Sequence, residues 1–342
     1  MSVNLSNPTV YEEPLRIRYR ANSIGARICE IVGLLTVLII PFVICLAMGN
    51  FWLEYNVLTE DPQITFTERC LLRYTTISGA ERVWACSDSL NQELQGDPRY
   101  VVPFISVYED DHDADGKIDM FTFFFQVPLG PGGDSVTPST DGIQSFEFLP
   151  EFDVRIWNYI LHMQFKSAPL ISLHLSAAGT SQRRVSVVQG ELRYEETSLP
   201  VADDYHRYDR VYTSSLFDAD VTDVSQATDV TKLAALYALQ NQSIAFRHRT
   251  SSFGDASLIP PMGPRAVVDL DSAEMATVIL KLRVVEAEVS YRPGYGEILK
   301  WAWVQYFTVA YVIYWFVQWA RWLFVKQALI NTIAVWEGKN TH

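Results

Sequence analysis

The chain lacks the motifs of most catalytic sites, and it is poor in basic residues. Its 342 residues contain no G-x-S-x-G, H-E-x-x-H, P-loop or C-x-x-C pattern. Lys and Arg number 27 against 40 Asp and Glu, which gives a formal net charge of −13. Because nucleic acids are bound through basic surfaces, this balance excludes them as partners. We expect neither an enzyme nor a small-molecule substrate.

Two long uncharged runs lie near the two ends of the chain. Residues 31–48 read IVGLLTVLIIPFVICLAM, and residues 301–320 read WAWVQYFTVAYVIYWFVQWA. As a helix, the first run extended to Trp52 is about 33 Å long and the second run about 30 Å, so each can cross a hydrocarbon core of about 30 Å. The sequence therefore predicts a two-pass α-helical membrane protein that crosses the lipid bilayer at residues 28–52 and 298–320. The first run could instead be a cleaved signal peptide, and either run could be a buried core helix.

The charges of the flanking segments predict the orientation of the two spans. Residues 1–27 and residues 321–342 each carry a net charge of +2, whereas residues 53–297 carry 36 acidic and 19 basic residues, a net of −17. Lys and Arg mark the cytoplasmic side of a membrane. Both tails are therefore predicted to be cytoplasmic, with residues 53–297 as a large exoplasmic domain.

This exoplasmic domain has the pattern of a β-rich, β-sandwich-like fold. Many short alternating segments are separated by turn signals, as in antiparallel sandwiches. The longest predicted strand covers residues 277–291, and its apolar parity changes between Val284 and Val285, which indicates a β-bulge. One helix is expected at residues 230–240, with Asp229 as its N-cap.

An acidic loop carries the spacing of a calcium site. Carboxylates occupy alternate positions, Gly116 allows a sharp turn, and a backbone carbonyl completes the pattern. Position 12 of the pattern is Thr122 rather than Glu, so the loop is not a full EF-hand. A solvated acidic turn is the alternative. The predicted structural Ca²⁺ ligands are Asp111, Asp113, Asp115, Asp119 and the carbonyl of Lys117.

Two covalent modifications are also expected outside the membrane. Cys70 and Cys86 lie on the two arms of a predicted hairpin, and an oxidising compartment favours a disulfide between them, with two buried thiols as the alternative. Asn241 begins the sequon Asn-Gln-Ser and is predicted to carry an N-linked glycan.

Several short pieces of the chain have a specific order and spacing: YRA at 19–21, IP at 40–41, FWL at 51–53, LQGD at 94–97, VP at 102–103, residues 109–120, the sequon at Asn241, VSYRPG at 289–294 and AWVQY at 302–306. In these pieces the chain resembles the transmembrane protein 231 family of the ciliary transition zone. Residues 129–142 and 203–227 diverge from that family, and the cysteine pair is not part of its pattern.

The resemblance implies a non-enzymatic subunit of the Meckel-syndrome complex, located in the ciliary membrane at the transition zone. Its implied partners are tectonics, B9-domain proteins and other transition-zone membrane proteins. That complex restricts the entry of membrane proteins into cilia. A two-pass ligand-gated channel and an accessory subunit of a lipid flippase share the predicted topology and remain alternatives.

Overall fold

The structure is a computed structural model, and it divides into two compact units. One unit comprises Met1–Glu54 and Tyr295–His342, and we call it the helical unit; the other, Tyr55–Gly294, is called the β unit. The structure describes residues 17–21, 23–49, 52–87, 91–92, 94–129, 142–175, 185–200, 208–210, 212–218, 229–254, 275–330 and 332–336.

The two units have different secondary structure. The α-helices are α1 (Ile24–Ala47), α2 (Val230–Ala238) and α3 (Tyr295–Lys326). The strands are β1 (Ile17–Ala21), β2 (Asn56–Glu60), β3 (Gln63–Thr76), β4 (Glu81–Ala85), β5 (Phe104–Asp110), β6 (Met120–Pro128), β7 (Ile143–Trp157), β8 (His162–Ser167), β9 (Ile171–His174), β10 (Val185–Glu196), β11 (Tyr208–Arg210), β12 (Gln242–Gly254), β13 (Met275–Val284), β14 (Ala287–Tyr291) and β15 (Thr332–Trp336).

Helix α1 has the properties of a membrane span. Its most apolar window has a mean hydropathy of 2.7 and is 11% buried, and among the described residues it is the one helix long and apolar enough to cross a membrane. The hydroxyl of Ser23 caps it by accepting a hydrogen bond from the Ala26 N–H. The helix begins and ends earlier than the predicted segment 28–52.

Helix α3 is longer than α1 but less uniformly apolar. It extends beyond residue 320, where the sequence analysis ended the second span. Its uncharged stretch is rich in Trp and Tyr, which combine an apolar ring with a polar group and concentrate at membrane surfaces. Most of its large side chains are exposed.

The two long helices pack antiparallel within the helical unit. The Tyr306 hydroxyl contacts α1 at Leu38, while the Arg321 guanidinium reaches back to the carbonyl of Glu30 at 3.0 Å. The contact nearer the C-terminus of α3, at Arg321, is made with the residue nearer the N-terminus of α1, Glu30. The two helices therefore run antiparallel. Strand β1, before α1, pairs antiparallel with β15, after α3.

The β unit contains two larger sheets and a separate ribbon of two strands. One sheet has the order β12-β10-β13-β6-β5, and the other has β11-β8-β7-β3-β4, with β9 on β7. Their facing sides form a common aromatic core, in which Phe125 of β6 lies 4.8 Å from Phe148 and 5.2 Å from Phe146 of β7 between ring centroids. The unit is β-rich, as the sequence predicts.

The prediction of one bulged strand at residues 277–291 is wrong. The chain instead forms β13, which ends at Val284, and β14, which begins at Ala287. The two strands belong to different sheets, because β13 pairs with β6 and β10 whereas β14 pairs with β2. The parity change in the sequence marks this change of sheet.

Helix α2 has the predicted N-cap and is held on the sheet by a buried hydrogen bond. The Asp229 carboxylate accepts a hydrogen bond from the Thr231 hydroxyl and others from the backbone N–H groups of Lys232 and Thr231. These bonds, the one from the hydroxyl above all, lower the pKa of that carboxyl. The Tyr237 hydroxyl donates to the buried carboxylate of Glu151 at 2.6 Å. Burial, reinforced by this bond, raises the pKa of Tyr237.

Candidate functional site

The acidic loop connects two paired strands of the five-stranded sheet. Asp110, the last residue of β5, lies opposite Met120, the first of β6, so the loop consists of residues 111–119. Within it, carboxylate oxygens of Asp111, Asp113 and Asp115 all lie within 4.8 Å of one another, and all three residues are exposed. The loop therefore brings together three of the predicted ligands.

Backbone hydrogen bonds hold these carboxylates in place. Asp111 accepts the N–H of Gly116 at 2.9 Å, and Asp115 accepts that of Lys117 at 2.7 Å. Gly116 has a φ of +85°, a value that L side chains rarely adopt, which explains the glycine in the pattern. The aspartates of the loop thus help to fold it through hydrogen bonds to its own backbone.

Asp119 and Lys117 have other contacts in this structure. Asp119 accepts the N–H of His112 at 2.8 Å and its backbone carbonyl accepts the N–H of Val284 at 2.8 Å. The Lys117 ammonium donates to the carbonyl of Asp61 at 3.0 Å. These bonds fasten the loop to the end of β13 and to the connection between β2 and β3.

The neighbouring aspartates of the loop repel the Asp113 carboxylate. The N–H of Asp115 lowers the pKa of Asp113, but desolvation and the other aspartates of the loop outweigh it, so the pKa of Asp113 is raised. Several carboxylate oxygens at close range, with no nitrogen or sulfur ligand, form a donor set that suits a hard cation such as Ca²⁺. The residues present therefore fit the predicted ion.

The predicted cysteine pair lies together in the β unit. The Sγ atoms of Cys70 and Cys86 are 2.06 Å apart and the Cα atoms 5.2 Å apart. Cys70 belongs to β3, and Cys86 follows β4, the strand paired with it. The N–H of Cys86 also donates to the carbonyl of Cys70 at 2.9 Å. The bridge would close the β3–β4 hairpin at its open end.

Asn241 occupies an exposed position between α2 and β12. Its backbone carbonyl accepts the N–H of Thr197 at 2.9 Å, which fixes the main chain. Ser243, the third residue of the sequon, pairs with Glu195 on β10. The asparagine therefore stands at the surface, where a glycan can be accommodated.

A cavity beside the loop was not predicted from the sequence. It has a volume of about 730 Å³ and lies within the β unit. Besides residues of the loop, it is lined by charged side chains from the five-stranded sheet: Glu191, Arg193, Arg249 and Arg283. These residues come from three strands that are far apart in sequence, β10, β12 and β13, so only strand register brings them together.

The fold defines a membrane protein with a β-rich domain. The model of the transmembrane protein 231 family matches residues 7–334, so the chain belongs to that family. Transmembrane protein 231 of Homo sapiens is 25% identical over 335 residues, covering 95% of this chain and 94% of its own.

Two further relatives bear the same name. That of Xenopus tropicalis is 22% identical over 327 residues, with 95% of each chain covered. That of Gallus gallus is 27% identical over 307 residues, covering 88% of this chain and 85% of its own. The match thus extends over both units.

A solved structure described as a proton-activated chloride channel is similar at a low level. The TM-score is 0.21 with 7% sequence identity, and the alignment covers 87% of this chain and 99% of that one. A similarity this low says nothing about the fold or the function of this chain.

Proposed function

We propose that this chain is a non-enzymatic membrane subunit of the ciliary transition-zone (Meckel-syndrome/tectonic) complex. In this role it contributes to the diffusion barrier that controls membrane-protein entry into cilia, and to ciliogenesis. Family membership over residues 7–334 is the observation that supports the proposal. The proposed partners are tectonics, B9-domain proteins and other transition-zone membrane proteins.

The proposed topology has two spans, at residues 28–52 and 298–320. Residues 53–297 lie on the exoplasmic side, and the tails 1–27 and 321–342 lie in the cytoplasm. The pairing of β1 with β15 supports this arrangement, because it joins the segment before α1 to the segment after α3. When two antiparallel helices are joined in this way, the N-terminus of the first and the C-terminus of the second lie on the same side of a membrane.

Ca²⁺ and an N-linked glycan are the proposed non-protein groups of the exoplasmic domain. Asp111, Asp113 and Asp115 would hold the ion, and Asp119 with the Lys117 carbonyl would complete its protein ligands. The bound ion would lower the negative charge of the loop where it is fastened to β13 and to the β2–β3 connection. Its chemistry there is structural.

The function is tested by localising the tagged full-length chain in ciliated cells. We expect a ring just distal to the basal-body marker and recovery of tectonics and B9-domain proteins in mild detergent. A diffuse plasma-membrane or endomembrane signal would contradict the proposal and favour the channel or transporter-subunit alternatives. Measurable ligand-evoked current, or stable co-purification with a transporter ATPase, would distinguish those two.

The topology is tested by glycan mapping. Enzymatic removal of N-glycans should shift the electrophoretic mobility of the wild-type chain but not that of Asn241→Gln. A tag at either terminus should be digested by protease added to the cytoplasmic side of intact microsomes. Protection of either tag, or an unshifted wild-type chain, contradicts the proposed orientation.

A further inference from the structure

A row of four residues, three of them charged, crosses the five-stranded sheet next to the acidic loop. Glu191 of β10 lies opposite Arg283 of β13 in the parallel pair. Arg283 lies opposite Met120, and Met120 opposite Asp110 at the start of the loop. Directly opposite residues project from the same face of a sheet. Register therefore connects the buried carboxylate of Glu191 to the loop through the exposed guanidinium of Arg283.

A β-bulge adds a second arginine to this row. Gln189 lies opposite Thr250 and Gly190 opposite His248, so Arg249 is the extra residue without an opposite partner. Bulges change the direction of a side chain. Here the Arg249 guanidinium forms an ion pair with Oε1 of Glu191. The Arg193 Nε lies 3.7 Å from the other oxygen, Oε2.

Glu191 has an acceptor that the described residues leave unsatisfied. Its side chain is 5% exposed, and its Oε2 atom has no hydrogen-bond partner. A buried acceptor without a donor is costly, and most such atoms in proteins are paired. Since Glu191 lines the cavity, a group bound there could donate the missing hydrogen.

The arginines around this acceptor favour a ligand with negatively charged oxygens. Arg283 forms no ion pair with another described residue, and the side chains of Arg193 and Arg249 are 47% and 61% exposed. Guanidinium groups bind carboxylate and phosphate oxygens through paired N–H donors. A ligand that matches both features is an oxyanion that carries its own proton.

We propose that the cavity binds a phosphate group that retains a proton. Inorganic phosphate and the monoanion of a phosphomonoester both have this property, whereas sulfate is fully ionised at neutral pH. The anionic oxygens would lie on Arg283 and Arg193, and the P–O–H would donate to Oε2 of Glu191. This site goes beyond the proposed function; only its coupling to calcium rests on the proposed metal loop.

The carboxylates of the loop make the site dependent on a cation. Asp113, Asp115 and Asp119 line the same cavity and would repel an anion. A bound Ca²⁺ would reduce that repulsion, so each ligand should strengthen the binding of the other. Linkage requires the two factors to be equal.

The test is calorimetric titration of the full-length chain in phosphatidylcholine nanodiscs. With Ca²⁺ present, inorganic phosphate should bind roughly a hundredfold more tightly than sulfate, because sulfate would leave Oε2 of Glu191 without a donor. Glu191→Gln should abolish that preference, because an amide can donate to sulfate. Arg283→Met should weaken phosphate binding at least about tenfold, whereas Arg155→Met, outside the cavity, should not.

The remaining arms separate the source of the phosphate and the role of the ion. Nanodiscs containing phosphatidic acid, titrated without free phosphate, show whether a lipid phosphomonoester can occupy the site in place of the free ion. Chelation of Ca²⁺ should weaken phosphate binding, and an unchanged affinity overturns the coupling. The site itself is overturned if the wild-type chain binds phosphate and sulfate equally, or if it binds neither inorganic phosphate nor phosphatidic acid. Both outcomes are independent of the chain's location in the cell.

Discussion

The hydroxyl of Tyr306 on α3 donates a hydrogen bond of 3.2 Å to the carbonyl oxygen of Leu38 on α1. The contact lies next to the point where Pro41 interrupts the hydrogen bonding of α1, since proline has no N–H for the carbonyl of Val37. A hydroxyl from a neighbouring helix can satisfy backbone groups near such an interruption. The bond therefore joins the two long helices beside the turn of α1 that lacks a backbone hydrogen bond.

Replacing Tyr306 with Phe should weaken this helix pair. The substitution keeps the ring and removes only the donor, so we expect a loss of about 0.6 kcal/mol, typical of interhelical hydrogen bonds in membranes. Reversible unfolding in mixed micelles measures it. Tyr311→Phe is the matched control, because Tyr311 is 72% exposed. Equal losses in both variants would show that the Leu38 contact is not stabilising.

Calcium should stabilise the full-length chain through the acidic loop. An ion that binds the folded state raises stability by RT ln(1 + [L]/Kd), about 2.7 kcal/mol at 100 times Kd. The melting temperature should therefore fall on chelation. Asp113→Asn with Asp115→Asn should melt at the same temperature with and without Ca²⁺, whereas Glu288→Gln, outside the loop, should respond like the wild type. Identical wild-type melting in both conditions eliminates the site.

The Cys70–Cys86 bridge should stabilise the β unit by constraining the unfolded chain. The two cysteines are 16 residues apart, and a closed loop of that size gives about 3 kcal/mol in the chain-entropy model. Cys70→Ser with Cys86→Ser should lower stability by that order, and Cys29→Ser should not. Mass spectrometry of unreduced peptides checks the bond directly; alkylation of both thiols without reduction refutes it.

The Gly190 position should tolerate no side chain. A Cβ there would lie 2.1 Å from Cε2 of Phe246 and 2.9 Å from the backbone carbonyl of Arg247, so β10 and β12 would have to separate. Gly190→Ala should therefore cost about 1–3 kcal/mol by overpacking. Gly96→Ala provides the control, because a Cβ at residue 96 meets nothing within 4 Å. Denaturant unfolding compares them, and matching midpoints would count against this packing.

Features encoded by neighbouring residues could be predicted from the sequence. The apolar composition of residues 31–48 predicted a long apolar helix, and α1 is that helix, with its most apolar window 11% buried. Asp229 determines the start of α2, because a cap interacts with the next two or three N–H groups. The turn at Gly116 follows from its own backbone freedom, and the three converging aspartates follow from alternation along one short loop.

Features that depend on distant residues were decided by the tertiary structure. Alternation along residues 277–291 shows which side chains face a core, but it cannot show that β13 and β14 pair with different sheets. Strand β12 escaped prediction because its residues are largely polar, and its pairing with β10 determines it. The same long-range register places Glu191 beside Arg249 and Arg283. Local chemistry determined the loop and the helices, whereas hydrogen bonding between distant strands determined the cavity.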